Sequence, residues 1–408
     1  MRVGVVGAGI GGLAVAVGLQ QAGAEVTVLE RADAVRAVGA GLSIFGNGFT
    51  ALEVLGLGEA VRALGGAGVA PRAGQRTPAG RWLARTPPAA IERLAVVHRA
   101  ALHRVLFDGL AAGTVQVGVE VVAVSAHGRT LTRRDGAGAD RRASFDLVVA
   151  ADGLRSRIRQ GWPGDPGVRY AGYSAWRGVT SRPVDVLGAA GETLGRGNRF
   201  GIAPLGDGRV YWFAVARMPA STVVDDEYAV LTELFANWHA PIGELIAATP
   251  ASEVFRLDIH ELAGRLPSFR RGRCVLLGDA AHAMTPDLGQ GGNQALEDAA
   301  TLVRLIGPVA EMTGERIDAA LDQYDRLRRP RTQRIARRAR SVGRIAQAHS
   351  RIGAWIRDAG LRVLPVSVAE RQLSAIQDWS PPAGRTALAG RTAPAGRTAR
   401  AVTAERSG

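Results

Sequence analysis

Residues 2–30 read RVGVVGAGIGGLAVAVGLQQAGAEVTVLE. Arg2 to Val6 is a short β-rich run, Leu13 to Gln21 a helical segment ended by Gly23, and Glu25 to Glu30 a second strand. Between the first strand and the helix stands Gly7-x-Gly9-x-x-Gly12. In such a unit Gly7 allows the tight turn, Gly9 lets the backbone approach a pyrophosphate, and Gly12 lets helix and strand pack closely. The helix amino end turns its partial positive charge toward the phosphates. Glu30, at the end of the second strand, stands where a carboxylate accepts hydrogen bonds from a ribose. A lone glycine triplet is weak, but strand, turn, helix, second strand and terminal acid in register predict a dinucleotide site, NAD or FAD.

Outward from this unit, Val3 to Leu19 is uncharged and apolar enough to imitate a signal peptide or membrane span. Its six glycines weaken that reading. Ala22-Gly23-Ala24 imitates a cleavage site, yet a cut there would discard the strand that the next one needs as a partner, so a cytoplasmic start is expected. Further on, Val115 to Ser125 alternates, Phe145 to Ala151 is a buried-strand run stopped by Asp152-Gly153, and Arg273 to Leu277 is another, broken by Gly278-Asp279. Asn293 to Leu305 reads as an amphipathic helix. From about Tyr170 to Phe255 the strands lengthen and carry Tyr173, Trp176, Phe200, Tyr211, Trp212 and Phe213. Val210 to Val215 fits an antiparallel sheet packed on at least one face, which makes this region an inserted second domain.

The composition excludes much. The chain has 408 residues and no lysine, so a P-loop ending in GK[ST], a pyridoxal Schiff base and any lysine base are ruled out. Its net charge of +14 is confined: ten arginines without an acid in 326–351, and five arginines against one glutamate in 380–408, account for all of it. A basic nucleic-acid groove is therefore not expected. The helical, Arg-rich stretch Arg316 to Ala346 reads as a solvated face closing the domain. The three hexads from Ala383 to Arg400, each beginning Ala-Gly-Arg-Thr-Ala and ending in Leu, Pro or Arg, read as disorder. One cysteine, Cys274, excludes a disulfide framework, and the seven histidines lack metal-ligand spacing.

A second constellation runs from Arg273 through Gly278-Asp279 and Pro286-Asp287-x-Gly289-x-Gly291-Gly292-Asn293. It sets an acid at a strand's carboxyl end, then a glycine-rich loop, then a helix. Together with the Gly7 fingerprint and the pattern Asp152-Gly153-x-x-Ser156-x-x-Arg159, it resembles the FAD-dependent single-component monooxygenases of the 4-hydroxybenzoate hydroxylase type, over about residues 1–340. The resemblance implies a Rossmann-like α/β FAD-binding domain with an inserted antiparallel-sheet substrate domain and a C-terminal helical segment. Expected boundaries are 1–72, 97–169 and 265–379 for the FAD-binding parts and C-terminal helices, 73–96 and 170–264 for the substrate domain, and 380–408 for the tail.

The resemblance also implies roles. Asp279 would bind the ribityl chain, Arg99 would lie near the flavin, and Asp152 would serve both FAD and the nicotinamide. Gly289, Gly291, Gly292 and Asn293 would run beside the isoalloxazine ring, with Arg31 beside Glu30 completing the cofactor set. No second strand-GxGxxG-helix unit is visible, so NADH or NADPH would bind transiently. Reduced flavin and O2 would form a C4a-hydroperoxide that hydroxylates an electron-rich aromatic or heteroaromatic molecule. Partners are then small molecules, without stable membrane insertion, for a monomer or homodimer. On the substrate side Arg199 and Tyr211 share a face only if Gly206-Asp207-Gly208 is a hairpin turn in register; with Asp287 and Pro286 they would orient and deprotonate a phenol-like or heterocyclic substrate. Tyr173 lines the cavity or packs the sheet, and Trp176 packs. Two other readings stay open, a reductase or epoxidase of this fold acting on an isoprenoid or polyketide, and a non-catalytic carrier.

Overall fold

The computed structural model describes residues 1–35, 41–65, 72–87, 94–134 and 138–383, and the opening stretch folds as its spacing predicts. Strand Arg2–Val6, helix Ile10–Gln21 and strand Glu25–Leu29 follow in turn, the strands parallel with Val5 opposite Val28. They lie in a six-stranded sheet ordered Arg270–Arg271, Cys274–Leu276, Leu147–Ala150, Arg2–Val6, Glu25–Leu29 and Val115–Gln116, parallel except at the first pair. Leu147–Ala150 and Cys274–Leu276 read as continuous apolar runs because both of their faces are covered. Val5, Val149 and Val275 are fully buried, in one core with Leu13 and Val17 of the first helix and Leu296 and Val303 of helix Gly291–Ile306. The stretch Val115 to Ser125 resolves into two strands in different sheets, Val115–Gln116 and Glu120–Val124, with Gly118 at φ +67° between them.

The inserted region forms a seven-stranded sheet ordered Phe255–Leu262, Val168–Val179, Val210–Ala216, Asn198–Pro204, Ala189–Leu194, Arg72–Arg76 and Trp82–Arg85. All pairs are antiparallel except Ala189–Leu194 with Arg72–Arg76. One face carries Trp176, Phe200 and Trp212 against helices Glu227–Phe235 and Ile242–Ala247. Strand alternation sends Tyr173, Ala175, Arg177, Arg199, Tyr211 and Phe213 to the other face, toward the first sheet. Gly206-Asp207-Gly208 is the hairpin turn: Leu205 N donates to Arg209 O, and Ala203 stands opposite Tyr211.

The long helix Gly314–Ala346 departs from the expected solvated face. Arg328 is fully buried, and Arg331 and Arg340 turn inward to Glu297 and Glu261. Acids distant in sequence balance these arginines, which a local charge count does not register. Among the described residues no helix is long and apolar enough to cross a membrane. The tail expected to be disordered lies, beyond residue 383, outside the described residues.

Candidate functional site

Each glycine of the fingerprint has a measurable reason. Gly7 takes φ +100°, and a Cβ there would lie 2.5 Å from Ala151 O. A Cβ on Gly12 would lie 2.0 Å from Gly7 O, so only glycine lets this helix sit so close to the strand. A Cβ on Gly9 would meet nothing within 4 Å, because that side of the residue opens into a cleft. Helix Ile10–Gln21 starts there without a side-chain cap, leaving its first amides for an anionic group. The Glu30 carboxylate is held beside the turn by Ala8 N at 2.8 Å and Ala32 N at 3.0 Å.

The second constellation reaches the same cleft. Two residues past strand Cys274–Leu276 the chain turns at Gly278, with φ +63°, and Asp279 opens the short helix behind it. Gly9, Gly12, Arg99, Asp279, Pro286, Gly289, Gly291 and Gly292 border one cavity of about 390 Å³. Gly7, Gly9, Glu30, Arg31 and Asp152 line a recess that continues from it past Gly9 and Gly153. Burial pushes the Asp152 carboxyl above its ordinary value. Helix Gly291–Ile306 also begins without a side-chain cap, and a Cβ on Gly291 would meet open space. Two uncapped helix amino ends, a cradle at Gly9 and carboxylates at both extremities fit a long, hydroxylated, diphosphate-bearing molecule such as FAD.

Asn293 sits elsewhere than the cleft wall. Its amide is spent on backbone: Nδ2 donates to Ser43 O at 2.9 Å and Gly289 O at 3.0 Å, and Oδ1 accepts from Phe45 N at 3.0 Å. It shapes the loop. A buried ionic cluster that sequence reasoning missed lies beneath. Arg328 Nε meets Asp298 Oδ1 at 2.6 Å and Arg328 also pairs with Glu297. Asp298 Oδ2 accepts from Gly278 N at 3.0 Å and lies 2.6 Å from His282 Nε2. Burial opposes ionisation of Asp298, but His282 and Arg328 hold its carboxyl below the ordinary range. Arg328 and Arg331 do the same for Glu297.

The opposite wall belongs to the seven-stranded sheet: Arg177, Glu192, Arg199, Tyr211 and Phe213 line the cavity. Arg199 pairs with Asp287 and, at 3.2 Å, with Glu192. Burial disfavours its charge, yet Glu192 and Asp287 outweigh that and hold the guanidinium above its ordinary pKa. Asp287 also accepts from Tyr173 Oη at 2.8 Å. Its side chain is fully buried and does not border the cavity, so of the expected polar set Arg199 and Tyr211 face the cleft while Asp287 stands behind Arg199. Burial keeps the Tyr211 phenol above its usual value and hence protonated at neutral pH. Trp176 packs, fully buried, with Nε1 donating to Glu227 at 2.8 Å. Arg177 and Glu192 were missed. Once Trp176 is assigned to the packed face, alternation already sends Arg177 to the cleft; Glu192 carried no comparable signal.

A two-lobed protein is thus defined, with a parallel-sheet dinucleotide lobe and an antiparallel lobe closing one cleft between them. The chain belongs to the FAD binding domain family, whose model matches residues 1–339. It is 37% identical over 373 residues to the aurachin C monooxygenase/isomerase of Stigmatella aurantiaca, covering 88% of this chain and 93% of that one. It is 36% identical to an FAD-dependent urate hydroxylase of Klebsiella pneumoniae, covering 83% and 89%. The crystal structure of Klebsiella pneumoniae HpxO complexed with FAD and uric acid superposes with a TM-score of 0.81 at 32% identity, covering 93% of this chain and 96% of that one.

Proposed function

We propose that this chain is an FAD-dependent monooxygenase that uses NADH or NADPH and O2 to hydroxylate an aromatic or heteroaromatic small molecule. One observation carries the reading: the two glycine-lined strand ends border one cavity whose far wall is a polar and aromatic sheet face. The relatives support the substrate class, one being named an aurachin C monooxygenase/isomerase and another an FAD-dependent hydroxylase of urate, a heteroaromatic molecule.

Gly7, Gly9 and Gly12 with the Ile10 helix end would hold the pyrophosphate. Glu30 and Arg31 would flank the adenosine ribose, and Asp279 the ribityl chain. Arg99, Pro286, Gly289, Gly291 and Gly292 would border the ring, on a loop that Asn293 braces. Asp152 would share the cofactor and nicotinamide ends. Bound FAD supplies the redox chemistry: reduction by the nicotinamide and activation of oxygen. The chain's own residues would bind and orient the substrate and keep water out. Tyr211 offers a protonated hydroxyl, Arg177 a cation whose Nε has no hydrogen-bond partner among the described residues, and Arg199, fixed by Asp287 and Glu192, a directed one. Residues 1–72, 97–169 and 265–379 would serve the cofactor, and 73–96 and 170–264 the substrate. A cytoplasmic, monomeric or homodimeric protein supplied with reduced nicotinamide completes the proposal.

The test is to purify the protein and screen aromatic and heteroaromatic compounds for stimulated NAD(P)H oxidation under ¹⁸O2. Product carrying one ¹⁸O atom supports hydroxylation. Stimulated oxidation without labelled product would favour a reductase, and a colourless protein that takes up no FAD would favour a carrier.

A further inference from the structure

Helix Arg351–Val363 is built inside out. Its inward face holds Ala354 and Arg357, whose guanidinium donates to Gly195 O at 2.8 Å and Ala346 O at 3.1 Å. Its outward face carries Ile352, Trp355, Ile356 and Val363, each 58–77% exposed. At 100° per residue these four and Ala359 fall in an arc of about 100°, with Arg351 and Arg362 on its margin. Exposed Ile345 precedes the helix and exposed Val366 follows it. Isolated surface aliphatics are ordinary, but a continuous apolar stripe on an otherwise anchored helix calls for a partner.

Three occupants can be weighed. Residues 384–408 contain only Leu388 and Val402 as large aliphatics, too little to cover the stripe. A second copy would bring Arg351 and Arg362 against the same stripe, and the helix's one acid, Asp358, is already paired with Arg357 at 2.8 Å. An anionic lipid surface takes both features at once: the acyl boundary receives Ile352, Trp355 and Ile356, and the headgroups receive the two arginines. We infer that helix Arg351–Val363 docks this protein peripherally on anionic lipid membranes. Arg357 of this helix also donates to Leu194 O at 3.5 Å, at the end of the strand Ala189–Leu194, whose Glu192 lines the cleft.

The test is sedimentation of the full FAD-loaded chain with phosphatidylcholine vesicles and with vesicles also containing phosphatidylglycerol. Partitioning about thirtyfold stronger on the anionic vesicles is expected from two arginines near the surface, falling as salt rises. The triple variant Ile352→Ser, Trp355→Ser, Ile356→Ser should lose about tenfold or more of that binding while keeping its circular dichroism and flavin absorbance. Absence of binding by the natural chain, or equal binding by the triple variant, overturns the proposal. So does a solution dimer that fails to bind vesicles and that the triple variant converts to monomer, which would assign the stripe to a second copy.

Discussion

Arg199 and Asp287, 88 residues apart, form a buried ion pair that joins the seven-stranded sheet to the loop preceding helix Gly291–Ile306. The bond is a strut between lobes. One end is a cleft-facing cation, the other a carboxylate with no exposure of its own.

Removing one partner of such a pair leaves the other charged and desolvated. Asp287→Ala should therefore cost about 3 kcal/mol or more of unfolding free energy. Tyr173→Phe, which deletes a single hydrogen bond to the same carboxylate, should cost about 1 kcal/mol. Urea denaturation of both variants checks the ranking; a silent Asp287→Ala would remove the strut.

The fingerprint glycines should fail in different ways. Gly9→Val places its side chain in the open cleft, so the protein should fold with its natural circular dichroism but purify colourless. Gly12→Val collides with Gly7 O and should cost about 3 kcal/mol or more, or prevent soluble expression. Flavin absorbance and thermal melts separate the two, and normal FAD occupancy in Gly9→Val would exclude the pyrophosphate cradle.

The cluster under the loop carries a pH signature. Asp298 and Glu297 are held below their ordinary values, so the stability they contribute is present above their unfolded pKa values near 4 and is lost as pH falls through the lower folded ones. Arg328→Met should cost about 3–5 kcal/mol at pH 7. It should also flatten the loss of stability below pH 4, because the cation that depresses both carboxyls is gone. Urea midpoints at pH 7 and pH 3.5 test this, and an unchanged difference between them would contradict it.

Asp152 has the opposite sign. Burial raises its pKa, so the protonated form favours the fold and that contribution is lost as pH rises through the folded value. In the cofactor-free protein Asp152→Asn should be more stable than the natural chain at pH 7, with no gain at pH 3, while FAD is retained less well. Melts at the two pH values decide it.

Arg177 lines the cleft, and its Nε has no hydrogen-bond partner among the described residues. Arg177→Gln should raise KM about tenfold or more with flavin absorbance unchanged, as expected for one charge-assisted contact to substrate. Tyr211→Phe should lower turnover more than stability. Steady-state NAD(P)H oxidation checks both, and unaltered kinetics would return each residue to a packing role.

The strand, turn, helix and strand read from residues 2–30 carried over almost residue for residue, because that unit closes on itself within thirty residues. The buried runs at Leu147–Ala150 and Cys274–Leu276 were legible for a similar reason: a strand covered on both faces needs an uninterrupted apolar sequence. The spacing of Arg199 and Tyr211 allowed a shared face only on condition of a hairpin turn in register at Gly206-Asp207-Gly208, and the pairing of Ala203 with Tyr211 met that condition.

What only the tertiary structure decided are pairings between charges distant in the chain. Arg328 looked like part of a solvated basic helix until Glu297 and Asp298 were found packed against it. Asp287 looked like a residue reaching substrate until Arg199 and Tyr173 were found occupying it. The Asn293 side chain is taken up by three backbone groups, of Ser43, Phe45 and Gly289, the first two of them 250 and 248 residues away in the chain. Backbone conformation follows local steric rules that a short window of sequence records. The partner of a buried charge is set by which elements the fold brings together, and no local window contains it.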